Sequence, residues 1–272
     1  MTLGVAARVA SRLRPGQALA LRDSEATLLA VLHVEDAWRP DREFEAEAVY
    51  GTADPSHPSV RQLRDQDGCW CVGGTIEGLR PPVHHDYRAL RHTPRQLRAQ
   101  FQRRGWRRIV AFQTRNPLHR AHQELTLRAA REAQAKLLIH PVVGMTKPGD
   151  VDHYTRVRCY RAAMASYPPG MAMLSLLPLA MRMAGPREAL LHAIVRRNHG
   201  ASHLVVGRDH ASPGTDAAGR PFYGPYEAQE LLRRHEQELG VRMVPYRQMV
   251  YVADSDSYLP EDEVPAGAQT MT

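Results

Sequence analysis

The chain has 272 residues, with 36 Lys and Arg against 29 Asp and Glu and a formal net charge of +7. Hydrophobic residues make up 43% of the sequence and charged residues 24%, which excludes a disordered chain and is typical of a globular protein of one or two domains. No apolar stretch approaches the roughly 20 residues of a membrane-spanning helix, and the first residues lack the apolar core of a secretory signal. These features predict a cytoplasmic protein without a membrane partner.

The excess of basic residues could attract nucleic acid, a membrane surface or small anions. Aromatic residues make up only 6% of the chain, however, and they do not alternate with basic residues as base-stacking surfaces require. We therefore expect small anions, and not nucleic acid, as partners.

The three cysteines indicate neither a disulfide framework nor a zinc site. Cys69 and Cys71 are one residue apart, whereas Cys159 is remote from both. Zinc sites use ligand pairs at wider spacing with a second pair elsewhere, and this C-x-C has no partner pair. We predict no metal site built from protein residues alone.

The first part of the chain is rich in predicted strands. Short apolar or alternating segments between residue 17 and about residue 80 are separated by turn-rich pieces, which is typical of a small barrel or sandwich. The segments are ALALRD, TLLAVLHVEDAW, EFEAEAVYG and CWCVGGTIEGL. Thr93 and Pro94 then predict the N-cap and first residue of a connecting helix. Because the composition changes after Trp106, we expect a β-rich domain over 1–105 and a second domain over 106–272.

The second domain alternates strands with helices, which predicts an α/β fold with an open, parallel sheet and right-handed crossovers. The buried strands are RRIVAF, AKLLIHPVVG, AMLSLLP, SHLVVG and VRMVPY. Helical periodicity occurs over 118–134 and in GPREALLHAIVRRNHG and PYEAQELLRRHEQELG. Ligands of such sheets bind at the carboxyl ends of the strands.

Donor-rich residues follow the first of these strands in FQTRNPLHRAH, residues 112–122. Asn116 and Pro117 suit the N-cap and first position of a helix, whose free N–H groups would face an anion. His119 and His122 are three residues apart and would project from one face of that helix. An H-x-x-H zinc site is the weaker interpretation, because the intervening Glu and a third ligand are missing.

A second donor cluster follows the strand SHLVVG, in the segment VVGRDHASPG over 205–214. Gly207 permits close backbone approach, Arg208 can fork onto an oxyanion, and the amides near Ala211 could form an anion nest. Neither cluster contains an activated nucleophile. The donors therefore suit phosphoryl or nucleotidyl transfer, in which the protein mainly positions the substrates and stabilises charge.

Several long motifs together resemble the ATP sulfurylase (sulfate adenylyltransferase) family. They are, in the family's order, HPSVRQL, VGGTIEGL, FQTRNPLHRAH, HPVVGMTKPGDVD, PLAMRMAGPREALLHAIVRRNHG, VVGRDHASPG, FYGPYEAQEL and MVPYRQMVYV. The resemblance covers most of the chain. It implies a PUA-like β domain followed by a Rossmann-like nucleotidyltransferase domain.

The resemblance also implies a reaction, in which sulfate attacks the α-phosphorus of ATP to give adenosine 5′-phosphosulfate and pyrophosphate, or the reverse. Mg²⁺ would enter with ATP. A phosphosulfate kinase and further copies of the chain would be protein partners. The implied catalytic residues are Thr114, Arg115, Asn116, His119 and His122. Sulfate would be held by Gln113, Arg115 and the backbone of Ala211. The nucleotide would contact Gln113, Asn116, His119, His122, Gly207, Arg208, Asp209, His210, Met249 and Val250.

The chain also departs from the family pattern. Family members generally have a longer segment before PGQALALRD and continue after QTMT, so the resemblance implies a chain shortened at both ends. Ser212 stands where many relatives have glycine. Two alternatives stay open, namely a nucleotidylyltransferase with a different acceptor and a catalytically silent or regulatory partner protein.

Overall fold

The computed structural model describes residues 2–65, 69–145, 149–246 and 248–271. The chain divides into two compact units, Met1–Arg88 and Ala89–Thr272. No helix among the described residues is both long and apolar enough to cross a membrane.

The first unit contains an antiparallel sheet of four strands in the order β1-β4-β3-β2. Leu32, Val34 and Val72 form the buried centre of its apolar cluster. The strands are β1 (Thr2–Ala6), β2 (Ala18–Arg22), β3 (Leu28–Trp38) and β4 (Cys69–Gly78). The helices are α1 (Ala7–Ala10), α2 (Arg42–Tyr50) and α3 (Pro58–Arg64).

The segment EFEAEAVYG was predicted to be a strand, and this prediction is wrong, because it forms α2. The Asp41 carboxylate caps the helix by accepting the N–H groups of Glu43 and Phe44, and Gly51 ends it in the left-handed conformation. Alternation suggested a strand with one buried face, yet Phe44 is 72% exposed. The caps at both ends are the stronger signal here.

The second unit contains a parallel sheet of five strands in the order β7-β6-β5-β8-β9. The predicted parallel α/β fold is thus confirmed. The strands are β5 (Ile109–Phe112), β6 (Lys136–Ile139), β7 (Ala172–Leu174), β8 (His203–Val206) and β9 (Arg242–Pro245). The helices are α4 (Pro94–Arg103), α5 (Arg120–Glu132), α6 (His153–Ala163), α7 (Gly185–Asn198) and α8 (Glu227–Leu239).

A small antiparallel sheet follows, in the order β11-β10-β12. Its strands are β10 (Met249–Val252), β11 (Ser257–Pro260) and β12 (Thr270–Met271). Short 3₁₀ turns occupy Arg88–Leu90, Met164–Ser166, Ala253–Ser255 and Glu261–Glu263.

Helix α4 belongs to the second unit, whereas the sequence suggested a domain boundary after residue 105. Thr93 and Gln96 form the capping box that begins the helix, and Pro94 takes its first turn as predicted. Leu97 and Phe101 are buried in one apolar cluster with Trp106. The helix therefore packs into the core of the parallel sheet, which places the division between Arg88 and Ala89.

Candidate functional site

The sheet topology brings both predicted donor clusters to one place. From β5 the chain builds β6 and β7 on one side of the sheet, then returns to place β8 on the other side of β5. Val110 pairs with His203, so the carboxyl ends of β5 and β8 lie side by side at the point where the strand order switches. Open α/β sheets bind their ligands at such a switch point.

A cleft of about 310 Å³ occupies this position. The first predicted cluster contributes Gln113, Thr114, Arg115, Asn116 and His122, and the second contributes Gly207, Arg208, Asp209, His210 and Ala211. The remaining lining residues are Phe112, Met181, Val205 and Tyr246. The exposed His119 lies beside the cleft, with its ring centroid 3.9 Å from that of His122.

The segment after β5 is held by the side-chain hydroxyls of Thr114 and Tyr160 and does not begin a helix at Pro117. Helix α5 begins at Arg120, so the prediction of Asn116 as the N-cap is wrong. The Thr114 hydroxyl bonds both the amide and the carbonyl of Asn116 at 3.0 Å, and the Tyr160 hydroxyl donates to the same carbonyl at 2.9 Å. Thr114 is thereby engaged in fixing the loop, and it is buried.

Arg115 forms an ion pair that sequence reasoning missed. Its Nη1 lies 2.8 and 3.0 Å from the two carboxylate oxygens of Asp150, and the two side chains are 18% and 9% exposed. The partner precedes α6 by only three residues, in a polar segment that gave no pattern to single it out. The guanidinium of Arg115 therefore lines the cleft with its Nη1 already bonded to Asp150.

Two polar atoms at the cleft are buried and lack a hydrogen-bond partner among the described residues, namely Gln113 Oε1 and His122 Nδ1. Buried polar atoms are normally paired, so these atoms indicate where a ligand or water would bond. Burial, reinforced by the neighbouring His119, lowers the pKa of His122 to about 4. The ring is therefore neutral at physiological pH and offers one N–H donor.

The loop after β8 adopts a strained conformation. Asp209 and Ala211 both have φ of +53°, a backbone angle that residues other than glycine rarely adopt. The Asp209 amide donates to the Pro225 carbonyl at 2.8 Å, and the Ala211 carbonyl accepts from the Gly185 amide at 3.2 Å. These bonds fix the turn from both sides. Strain that neighbouring structure maintains is characteristic of ligand-binding loops.

Two predicted nucleotide contacts, Met249 and Val250, are not among the residues that line this cleft. Met249 lies beside α5, near Leu125 and Ala129, and Val250 is only 4% exposed. Tyr246 takes a place in the cleft instead. Because it directly follows β9, the rule for strand carboxyl ends could have identified it. Met181 carried no comparable signal.

The charges around the cleft suit an anionic ligand. Asp209 is the single carboxylate in the described lining, and its Oδ2 lies 3.2 Å from Nε of Arg208. Across the described ranges, no group of three or more His, Cys, Asp and Glu side chains is arranged to hold a metal ion. The donors can position phosphate and sulfate groups and stabilise their charge, but they offer no covalent nucleophile.

The fold and the cleft are those of a Rossmann-like nucleotidyltransferase domain that follows a PUA-like domain. Sequence comparison agrees, since a PUA-like domain family matches residues 1–81 and the ATP-sulfurylase family matches residues 88–272. The chain belongs to the ATP-sulfurylase family.

The proteins that resemble this chain match nearly all of it and are more than twice its length. The chain is 55% identical over 262 residues to a sulfate adenylyltransferase of Aspergillus terreus. This match covers 96% of the chain and 46% of the relative. It is 54% identical over 260 residues to the enzyme of the same name from Emericella nidulans. A solved structure titled hexameric APS kinase from Thiobacillus denitrificans matches with a TM-score of 0.75 and 36% identity over 100% of this chain and 46% of that one. The chain thus spans under half the length of these relatives.

Proposed function

We propose that this chain transfers the adenylyl group of ATP to sulfate, or runs the reverse reaction. The observation that carries the proposal is the meeting of Arg115 with the 207–211 loop in one cleft at the switch point of the sheet. The family membership and the name of the similar fungal proteins support the same chemistry.

In the forward reaction a sulfate oxygen attacks the α-phosphorus, a new S–O–P linkage forms, and the bond from that phosphorus to the bridging oxygen of pyrophosphate breaks. Both substrates supply their own reacting groups, so no covalent enzyme intermediate is required. Gln113, Arg115 and the Ala211 backbone would hold sulfate in line with the bond that breaks. Such positioning can supply a large part of a rate enhancement.

The nucleotide phosphates would contact Asn116, Arg208 and the two histidines His119 and His122. Because His122 is neutral, it would stabilise the departing pyrophosphate through its N–H and not through a full positive charge. Gly207, Asp209 and His210 would lie against the nucleoside. Thr114 would act by holding the 114–116 loop and would not itself contact the substrate.

Mg²⁺ would arrive as MgATP. With one carboxylate in the described lining, the residues fit an ion held mainly by phosphates and water, a mode of binding that Mg²⁺ commonly adopts. The ion would neutralise phosphate charge while the protein residues orient the groups that react.

We further propose that the chain works in the cytoplasm, assembles with copies of itself and is associated with a phosphosulfate kinase. The three cysteines are free thiols, which suits a reducing compartment. The similarity to a hexameric APS kinase supports the two protein partners. Sedimentation of the purified chain, alone and with such a kinase, would test both associations.

The decisive experiment measures pyrophosphate release from MgATP with and without sulfate, with inorganic pyrophosphatase present to pull the reaction forward. Sulfate-dependent release that chlorate blocks would support the proposal. Release that requires a larger phosphate ester or carboxylate would indicate a different acceptor. Binding of ATP with no release under any acceptor would indicate a silent or regulatory protein.

A further inference from the structure

Three titratable side chains form a line from α7 to the cleft, and the two on α7, Glu188 and His192, are buried. His210, in the cleft lining, places its Nε2 3.0 Å from Nδ1 of His192. On its other side, His192 Nε2 lies 3.2 Å from Oε1 of Glu188. The side chains of Glu188 and His192 are 0% exposed. The Glu188–His192–His210 line, named here the α7 relay, is thus closed to solvent at its inner end.

Glu188 also connects the relay to the two loops that line the cleft. Its Oε1 accepts the amide of Arg182 at 2.9 Å, and its Oε2 accepts the amide of Ala184 at 3.0 Å. These amides flank the turn that follows Met181, a lining residue. Because the next amide, that of Gly185, bonds Ala211 in the other loop, one carboxylate organises both walls of the cleft.

Only one arrangement of protons gives every contact in the relay both a donor and an acceptor. The backbone donors and His192 lower the pKa of Glu188 despite its burial, so the carboxylate is charged and can only accept. His192 Nε2 must then be protonated and point toward Glu188, since two unprotonated acceptors would repel each other. The angle is poorer than that of an ideal hydrogen bond, but no other acceptor among the described residues reaches this nitrogen.

The same logic extends to the outer histidine. Burial outweighs the bond to Glu188 and, with a smaller contribution from the charge of Arg196, lowers the pKa of His192 to about 4, which leaves that ring neutral. Its Nδ1 is therefore an acceptor, and His210 Nε2 must donate to it. The groups that face His210 are His192, Glu188 and Arg196, and burial is the main cause that lowers the pKa of His210 to about 3.

We propose that Glu188 and His192 are positioning residues that hold His210 as its Nε2–H tautomer, so that its Nδ1 presents a hydrogen-bond acceptor to the ligand. An acceptor disfavours a phosphate oxygen and selects a donor, which on a nucleoside triphosphate is a ribose hydroxyl or the exocyclic amine of the base. The nature of the ligand rests on the proposed function, whereas the proton arrangement does not.

The proton arrangement can be tested without any activity. ¹⁵N spectra of histidine-labelled chain, assigned with His192→Asn and His210→Asn, report the tautomer of each ring. We expect both rings as neutral Nε2–H tautomers from pH 5.5 to 8. A charged His210, or its Nδ1–H tautomer, would overturn the proposal even if the chain proves to be an active sulfurylase.

Kinetics then separate positioning from mere structure. His192→Leu removes the acceptor, and we expect the KM for MgATP to rise about tenfold with little change in the KM for sulfate. His192→Asn places an amide oxygen near the lost Nδ1 and should restore most of the affinity. His199→Leu is the matched control, since His199 is a second buried histidine that directly follows α7 and bonds Val195, away from the cleft. Equal KM values in His192→Leu and His199→Leu would overturn the positioning role.

Nucleotide analogues identify the donor that His210 meets. If it is a ribose hydroxyl, 2′,3′-dideoxy-ATP, which lacks both hydroxyls, binds wild type and His210→Ala equally, whereas inosine triphosphate still distinguishes them. If it is the exocyclic amine, inosine triphosphate binds both proteins equally, whereas the dideoxy analogue still distinguishes them. When both analogues distinguish the two proteins as strongly as ATP does, His210 does not accept from the nucleoside and that part of the proposal fails.

Discussion

At the scale of single residues, the Arg115–Asp150 pair fixes the guanidinium that we propose as the oxyanion donor of the cleft. A guanidinium offers several donors in one plane, and Asp150 occupies only Nη1. The remaining donors of the guanidinium stay available for the sulfate that we propose as substrate. The carboxylate lowers the net charge and holds the plane in one orientation.

Arg115→Ala should lower sulfate-dependent turnover by about 100-fold or more, because a charge-assisted contact to the reacting anion is lost. The fold should persist, since Arg115 contributes little to the apolar core. The matched control is Arg107→Ala, an exposed arginine at the opposite end of β5, which should retain wild-type turnover. Near wild-type turnover of the Arg115 variant would make the sulfate assignment wrong.

Asp150→Asn should lower kcat/KM for sulfate about tenfold and affect MgATP less, because the guanidinium loses its fixed orientation. Steady-state kinetics with each substrate varied in turn would show the difference. A larger loss of kcat/KM for MgATP than for sulfate would indicate that Arg115 contacts the nucleotide instead. Asp152→Asn is a suitable control, since Asp152 caps the start of α6 through the Thr155 amide and does not pair with Arg115.

At the scale of elements, the start of α7 controls the geometry of the site. Gly185 has φ of +51°, and a Cβ there would lie 2.3 Å from the Tyr223 ring. Its amide bonds Ala211, so the helix start and the loop after β8 share one junction. Any side chain at position 185 must move the aromatic ring or the helix.

Gly185→Ala should therefore both destabilise the chain and weaken ligand binding. We expect a cost of about 2 kcal/mol or more in the free energy of unfolding, from strain and overlap together. Denaturant unfolding with and without MgATP would separate the two effects. Gly149→Ala provides a comparison, since it has positive φ but nothing within 4 Å of the added carbon, and only the strain should remain.

The elements also show which sequence signals were sufficient. Long apolar runs identified all five parallel strands, and Gly240 ended α8 in the left-handed conformation as such glycines do. The helix start after β5 was wrong because Thr114 and Tyr160 bind the Asn116 backbone in a turn. Local capping preference could not reveal these partners, which tertiary folding supplies.

The same limit applies to the cleft. Motifs predicted most of its lining, because residues that follow parallel strands converge at one edge. Asp150 and the relay residues Glu188 and His192 were missed, since their importance depends on which side chains meet them. Met249 and Val250 were assigned to the nucleotide through family resemblance, and neither is among the residues that line the cleft.

At the scale of the whole molecule, the second unit buries several histidines in their neutral form. Burial lowers the pKa of His192 to about 4 and of His210 to about 3, and it also places the pKa of His140 well below its usual value. In the unfolded chain each ring would titrate near 6.5. Protons therefore bind the unfolded state more strongly below that pH.

Thermal stability should consequently be independent of these rings above about pH 6.5 and should fall as the pH is lowered toward 4.5. Calorimetric melting temperatures across that window measure the effect. Carboxylates titrate mostly below it, so the window isolates the histidines. His192→Phe should flatten the dependence, and a flat wild-type profile would contradict the buried neutral rings.

The switch point also has a consequence for how the protein is made. The cleft needs the ends of both β5 and β8, and β8 begins at His203, long after β5 has left the ribosome. Nascent chains can pair β5 with β6 and β7 while half of the anion site is still unsynthesised. A ligand that needs both halves of the cleft can therefore stabilise only chains in which β8 has already paired with β5.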